Sequence, residues 1–128
     1  MAIYLLDTSV MVDVLNRKRG RSALLASLNA SGDTLACSVV SITEVYAGIR
    51  PREIEATELF LGGLALYAVD ADLARYAGLL RNEWAKKGRT LALADVLIAA
   101  TALLHGLSLM TDNRQDFPMP QLAFYPLP

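Results

Sequence analysis

Residues 2–9 read Ala-Ile-Tyr-Leu-Leu-Asp-Thr-Ser, an apolar run that stops abruptly at an acid. The run contains Ile3 and Tyr4, which are residue types that favour β-strands. Asp7 then ends the apolar pattern and begins a polar stretch that is typical of a turn. The segment therefore predicts a short buried strand with a carboxylate directly after it, and this arrangement decides how the rest of the chain is interpreted.

Helical patterns and further short apolar runs alternate after this strand. Either Thr8 or Ser9 is a suitable N-cap for a first helix, whose apolar face is formed by Val10, Met11, Val14 and Leu15. Apolar runs predict further strands at residues 34–37, 64–69 and 107–110, with an edge strand near residues 122–125. Helical spacing and glycine or proline boundaries predict helices at residues 22–30, 51–61, 72–87 and 91–104.

One more helix start is indicated by a capping-box pattern. Ser41 is followed three residues later by Glu44, which predicts a helix that begins at Ser41 and runs to about Ile49. Because strands and helices alternate, we expect an α/β protein with three layers, α/β/α, around a central, mainly parallel sheet of four to five strands. No repeat or linker interrupts the pattern, so residues 1–128 are predicted to form a single domain.

Composition limits the function classes. The chain has 128 residues, is 54% hydrophobic and carries a formal net charge of −1, with one cysteine and one histidine. No apolar run approaches the roughly 18 residues of a membrane span. The N-terminus has no basic leader, and a single cysteine forms no internal disulfide, so we expect a cytoplasmic protein. The rich apolar content is compatible with a protein partner or a homodimer.

Five acidic residues do not fit the pattern of solvated surface positions. Asp7 follows the first strand, Glu44 follows the second, and Asp112 and Asp116 flank the loop after the fourth. If these strands are neighbours in a parallel sheet, their carboxyl ends bring the acids to one edge, which is where ligands bind in such folds. Asp95 lies near the start of an apolar helix and is expected to join them.

Clustered carboxylates repel one another unless protons or a cation compensate. A hard divalent ion such as Mg²⁺ or Mn²⁺ prefers oxygen ligands and works with substrate phosphates, so the pattern favours phosphodiester hydrolysis with one metal or two. Each acid also has a structural interpretation. Asp7 could be a turn or N-cap residue, Glu44 could close the capping box, and Asp95 could favour the helix dipole. Asp112 and Asp116 could be ordinary loop acids.

Other chemistries are poorly supported. The single histidine, His105, excludes a two-histidine ribonuclease mechanism, and Cys37 in a strand has no evident base nearby. No phosphate-binding glycine motif is present. A phosphoacceptor signalling domain has a similar length and fold, but it would need adjacent acids after the first strand and a lysine after the last, and neither is found. Two basic groups, at residues 17–21 and 86–89, are either solvated charges or RNA contacts.

Four segments together resemble the PIN-domain ribonucleases, and among them the VapC-like toxins of type II toxin–antitoxin pairs. The segments are residues 5–13 (LLDTSVMVD), 38–48 (SVVSITEVYAG), 95–103 (DVLIAATAL) and 109–117 (LMTDNRQDF). Their order and spacing agree with the family over nearly the whole chain. The resemblance implies a Mg²⁺- or Mn²⁺-dependent endoribonuclease, a homodimer, and inhibition by a small antitoxin of the VapB type.

The resemblance also implies roles for individual residues. Asp7, Glu44 and Asp95 carry over as catalytic and metal-binding acids, with Thr111 as a hydrogen-bonding helper and Ser9 in a similar role beside Asp7. Many relatives have an aspartate two positions after the threonine, where this chain has Asn113, which could still bind through its carbonyl oxygen. The fourth acid is therefore expected to be Asp116 or Asp112. A catalytically inactive interaction module with the same fold is the alternative.

Overall fold

The computed structural model describes residues 1–128 and contains five strands and six helices. The strands are β1 (Ile3–Leu6), β2 (Thr34–Ser38), β3 (Ala65–Tyr67), β4 (Ser108–Met110) and β5 (Ala123–Phe124). The helices are α1 (Thr8–Leu15), α2 (Arg21–Ala30), α3 (Val39–Ala47), α4 (Ile54–Gly62), α5 (Ala71–Lys86) and α6 (Leu93–His105). Short 3-10 turns cover Pro51–Glu53 and Arg114–Asp116.

The strands form one parallel sheet in the order β3-β2-β1-β4-β5, so β1 lies at its centre. Leu5 pairs with Ala36 of β2 on one side and with Leu109 of β4 on the other. The predicted α/β/α fold with a central parallel sheet is confirmed, including the adjacency of the first, second and fourth strands. The carboxyl ends of these three strands therefore lie at one edge of the sheet.

Two separate cores cover the two faces of the sheet. Because successive strand residues point to opposite faces, Leu5 and Leu109 pack with α5 and α6, whereas Leu6 and Met110 pack with residues of α1 to α4. All four of these side chains are fully buried. At about 25 cal/mol for each Å² of apolar surface removed from water, such side chains stabilise the fold by roughly 1.5–3 kcal/mol each. None of the helices has both the length and the apolar character needed to cross a membrane.

Two predicted helix starts were wrong. The cap of α1 is Asp7, whose carboxylate accepts the Thr8 amide, rather than Thr8 or Ser9. The cap of α3 is Ser38, whose hydroxyl accepts the amide of Val40, so the predicted capping box at Ser41 and Glu44 does not exist. Both strands run directly into the following helix without a loop. Each helix begins at the side chain that accepts this amide hydrogen bond, and that side chain lies at the end of the preceding strand.

Candidate active site

Asp7 occupies the centre of the edge at which the strands end. It follows β1, and its backbone amide donates a 2.9 Å hydrogen bond to the carbonyl of Met110, the last residue of β4. Leu6 and Met110 are register partners, so Asp7 and Thr111 leave the sheet side by side. Asp7 is only 6% exposed and Thr111 only 3%. The local sequence therefore places an acid and a hydroxyl together at the buried base of the site.

Three donors fix the carboxylate of Asp7. Oδ1 accepts the Thr8 amide at 2.8 Å, and Oδ2 accepts the hydroxyls of Thr111 at 2.7 Å and Ser9 at 3.1 Å. Burial raises the pKa of Asp7 above its usual range, the three hydrogen bonds oppose that shift, and the charge of Glu44 adds to it. Because burial is the largest of these effects, a compensating positive charge nearby would stabilise the ionised carboxylate.

Glu44 reaches the same region from the other side of β1. It lies in the second turn of α3, and its Oε1 is 2.6 Å from the hydroxyl of Thr8. The same hydroxyl contacts the Ser41 hydroxyl at 2.8 Å. Ser41 is fully buried whereas Glu44 is exposed. Thr8, next to Asp7 in the chain, thus links the second acid to the first and holds it at the rim.

Asp95 and Asp116 complete the group. Asp95 lies in the first turn of α6, and its pKa is raised to about 6, first by desolvation and then by the charges of Asp7, Asp116 and Glu44. This mutual repulsion shows that the four carboxylates share one electrostatic environment. Asp116 ends the 3-10 turn after β4 and is exposed. The site thus runs from a buried aspartate to two acids in contact with solvent.

Asp112 points away from this group. Its Oδ1 is 2.6 Å from Nη2 of Arg21 and 3.4 Å from Nη1 of Arg19. Arg21 is 3% exposed, so this basic residue is neither a solvated charge nor a free RNA contact. Because a buried guanidinium already neutralises Asp112, the contact favours Asp116 over Asp112 as the fourth acid. Of the two acids in this loop, Asp116 remains the candidate for the fourth acid of the site. Asn113 contributes its backbone amide, which donates to the Thr111 hydroxyl at 2.9 Å.

Sequence reasoning missed the roles of Thr8, Ser41 and Arg21. The sequence predicts only a helix cap at Thr8 and only part of a capping box at Ser41. Helical spacing could have indicated the role of Ser41. Ser41 and Glu44 are three residues apart, so they share one face of a helix that begins before Ser41. Arg21 gave no signal, since nothing local distinguishes it from the neighbouring basic residues.

The donor set suits a hard divalent cation in chemistry but is not preassembled. All four side chains offer carboxylate oxygens, and desolvation, with smaller contributions from neighbouring charges, raises the pKa values of Asp7 and Asp95. No three acidic, histidine or cysteine side chains yet converge on a common point. Of the four carboxylates, Asp7 is the one fixed by several hydrogen bonds.

Comparison with known proteins agrees with this geometry. The family model described as "PIN domain" matches residues 4–122. Ribonuclease VapC19 of Mycobacterium tuberculosis is 36% identical over 115 residues, which cover 90% of this chain and 92% of the relative. Among solved structures, VapBC2 of Rickettsia felis bound to a promoter DNA fragment superposes with a TM-score of 0.85 at 28% identity, covering 96% of this chain and 97% of the other. DNA-bound VapBC of Salmonella typhimurium gives 0.85 at 25% identity, with 98% of both chains covered.

The chain belongs to the PIN-domain family. The match extends from β1 to the residue before β5, so it includes every strand end and helix start that carries an acid of the site. The relatives named above are VapC ribonucleases or chains of VapBC complexes.

Proposed function

We propose that this protein is a divalent-metal-dependent endoribonuclease that acts as the toxin of a toxin–antitoxin pair. The observation that carries the proposal is the position of Asp7, Glu44, Asp95 and Asp116 at one edge of the parallel sheet, where desolvation first and then the other three charges raise the pKa of Asp95. The names of the relatives, ribonuclease VapC19 among them, support RNA as the substrate. The four acids argue against the alternative of an inactive interaction module.

The acids would hold Mg²⁺ or Mn²⁺, with Asp7, Asp95 and Asp116 as ligands and Glu44 at the rim. When bound, the cation would polarise a phosphodiester and lower the pKa of a bound water. A carboxylate oxygen has about two lone pairs for donors. In Asp7, Oδ2 already accepts from Ser9 and Thr111, whereas Oδ1 accepts only from Thr8. Oδ1 is thus the oxygen with capacity left for a cation, and the two hydroxyls hold it in place.

The remaining acids have distinct tasks in this proposal. Thr8 holds Glu44 in hydrogen-bonded contact beside Asp7, where its exposed carboxylate can accept a proton from an attacking water. Asp95 would serve as a carboxylate ligand, where a bound cation would offset the desolvation and the neighbouring charges that raise its pKa to about 6. Asp116 lies at the exposed end of the site, where RNA phosphates would enter.

We extend the proposal to partners and location. The VapBC complexes that share this fold support an antitoxin of the VapB type as the inhibitor of this chain. A homodimer is consistent with exposed apolar side chains such as Leu59, Leu66 and Leu79. The buried free thiol of Cys37 suits the reducing cytoplasm, where an RNA substrate is available.

A cleavage assay with a matched control tests the function. Purified wild-type protein should cut RNA with Mn²⁺ or Mg²⁺ and stop when a chelator is added, and sequencing of the new RNA ends should define the cleavage site. Asp7→Asn should abolish cleavage with the fold intact. Asp72→Asn makes the same change at a surface residue of α5 whose side chain is 91% exposed, and it should leave cleavage unchanged. Metal-dependent cleavage by Asp7→Asn would refute the proposal.

A further inference from the structure

A buried ion pair outside the acidic group joins the start of α2 to the loop after β4. The Arg21 guanidinium is 3% exposed, and its Nη2 lies 2.6 Å from Oδ1 of Asp112, whose side chain is 12% exposed. Arg21 Nε and Asp112 Oδ2 have no other protein partner. The pairing therefore depends on one short contact, helped only by the exposed Arg19 at 3.4 Å.

Asp112 stands between two residues that shape the base of the site. On one side, Thr111 donates to Asp7 Oδ2 at 2.7 Å; on the other, the Asn113 amide donates to the Thr111 hydroxyl at 2.9 Å. The hydroxyl oxygen of Thr111 is thus both donor and acceptor, and its direction is set by how the backbone turns at Asp112. A carboxylate held by a buried arginine fixes that turn.

The ion pair also neutralises the negative charge of Asp112. Without Arg21, Asp112 would be a fifth uncompensated carboxylate, immediately beside Thr111. Paired with Arg21, Asp112 adds no net charge to a site that already holds four carboxylates. A buried ion pair adds little stability compared with an apolar pair of the same volume, so net stability alone is a weak reason for this arrangement.

We propose that Arg21 is a positioning residue of the active site: by pairing with Asp112 it fixes the Thr111–Asn113 turn and thereby the orientation of the Asp7 carboxylate. The relevance to catalysis rests on the proposed nuclease function. The positioning itself is a property of the metal-free protein and can be measured without any substrate.

The test uses two single variants, one double variant and a control. Asp112→Asn keeps a carbonyl acceptor for Arg21 and preserves the fold, whereas Arg21→Gln removes the cation. The double variant Arg21→Gln/Asp112→Asn restores a neutral, hydrogen-bonding pair. Arg75→Gln makes the same substitution in an exposed pair on α5, in which Arg75 Nη1 lies 3.0 Å from Asp72. The turn is monitored by hydrogen exchange of the Asn113 amide in metal-free protein, and the site by Mn²⁺ affinity from calorimetry.

In both single variants, the Asn113 amide should exchange about tenfold faster or more, because its hydrogen bond to Thr111 opens more often. Mn²⁺ affinity should fall about tenfold, as when other outer-shell partners of metal ligands are lost. The double variant should recover part of both losses, and Arg75→Gln should change neither. The rate constant of RNA cleavage should fall while KM stays within about twofold, because both side chains of the ion pair are largely buried and would make little direct contact with RNA.

Two results would overturn the inference. The first is that both single variants melt earlier but keep Asn113 exchange and Mn²⁺ affinity within about twofold of wild type, since the pair would then be structural only. The second is that Arg75→Gln changes these quantities as much as Arg21→Gln. Failure of the nuclease proposal is separable, because it would appear as wild-type protein that cuts no RNA, while the exchange measurement would still decide the positioning role.

Discussion

The hydroxyl of Thr111 donates a 2.7 Å hydrogen bond to Oδ2 of Asp7, although the two residues are 104 positions apart in the chain. The contact is possible because β1 and β4 are adjacent parallel strands that end in register at Leu6 and Met110. The first and last motifs of the sequence therefore meet at the buried base of the site through this side-chain hydrogen bond and the backbone bond from Asp7 to Met110. The strength of the side-chain bond bears on both stability and activity.

Replacing Thr111 with valine keeps the shape and removes the donor. We expect cleavage to fall about 10- to 100-fold, because Asp7 loses one of the two hydroxyls that hold Oδ2. The free energy of unfolding at neutral pH should fall by about 1–3 kcal/mol, because a buried carboxylate loses a partner. Thr101→Val is the matched control, since Thr101 is fully buried and its hydroxyl bonds only to the Leu97 carbonyl within α6. Chemical denaturation and cleavage rates measure both effects. Equal losses of activity in the two variants would count against this role.

Stability of the metal-free protein should depend on the protonation of Asp95. Its pKa is about 6 in the folded state and 3.8 when unfolded, so the folded state binds the proton more tightly. This contribution is fully present below pH about 4 and is lost as pH rises through about 6. The loss amounts to roughly 1–2 kcal/mol once solvent screening at a partly exposed group is allowed for.

The variant Asp95→Asn tests that prediction. In chelator, the variant should be more stable than wild type at pH 7.5, with a flatter pH profile between 4 and 7, because no charge develops there. It should also lose the stabilisation by Mn²⁺ and the cleavage activity. Thermal unfolding with and without the metal measures both. A wild-type protein that gains stability from pH 4 to 7 in chelator, with Asp95→Asn following the same curve, would contradict the assignment.

We expect Thr8 to affect the position of Glu44 rather than the stability of the fold. Its hydroxyl lies 2.6 Å from Glu44 Oε1 at an exposed position. We expect Thr8→Val to lower the cleavage rate by a factor of several to about ten. The free energy of unfolding should fall by less than about 1 kcal/mol. Thr8→Ser keeps the hydroxyl and should retain most of the activity. If serine were as damaging as valine, the methyl group and not the hydrogen bond would be responsible.

Cys37 should be inert in the folded protein. It is fully buried in β2, and burial raises its pKa to about 11, so almost no thiolate forms at neutral pH. Iodoacetamide should leave native protein unmodified and label it fully in denaturant, as followed by mass spectrometry. Cys37→Ser should keep activity but cost about 1–3 kcal/mol, because it places a hydroxyl in an apolar core. Rapid labelling of the native protein would disprove the burial of this residue.

The sequence predicted the sheet and most of the acidic site because both depend on simple periodicity. Apolar runs located the strands, and the parallel arrangement then required Asp7, Glu44 and the loop after β4 to share an edge. The strand boundaries differed by a few residues, most clearly at β3, where only Ala65–Tyr67 forms the predicted 64–69 strand. Hydropathy depends only on residue type, so it does not show where an edge strand such as β3 begins or ends.

The partners of the acids could not be predicted in the same way. The sequence does not distinguish Asp112 from Asp116 as the fourth acid, and only the tertiary contact of Asp112 with Arg21, 91 positions away, favours Asp116. Likewise Glu44 fits a capping box locally, but Ser38 ends its strand in a geometry that starts α3 earlier. The contact with Arg21 comes from a distant segment and leaves no local pattern, whereas the start of α3 depends on where β2 ends at Ser38.

The two cores on opposite faces of the sheet have a consequence for a cell that makes this protein. Glu44 is carried by α3, which packs on one face, and Asp95 by α6, which packs on the other. A chain in which only one layer has docked therefore carries half of the acids in place. Cleavage should begin only when both layers are complete, so a nascent or partly folded toxin would be harmless to the RNA around it. Synthesis of the segment after α6, which carries Thr111 and Asp116, would then set the earliest moment at which an antitoxin is needed.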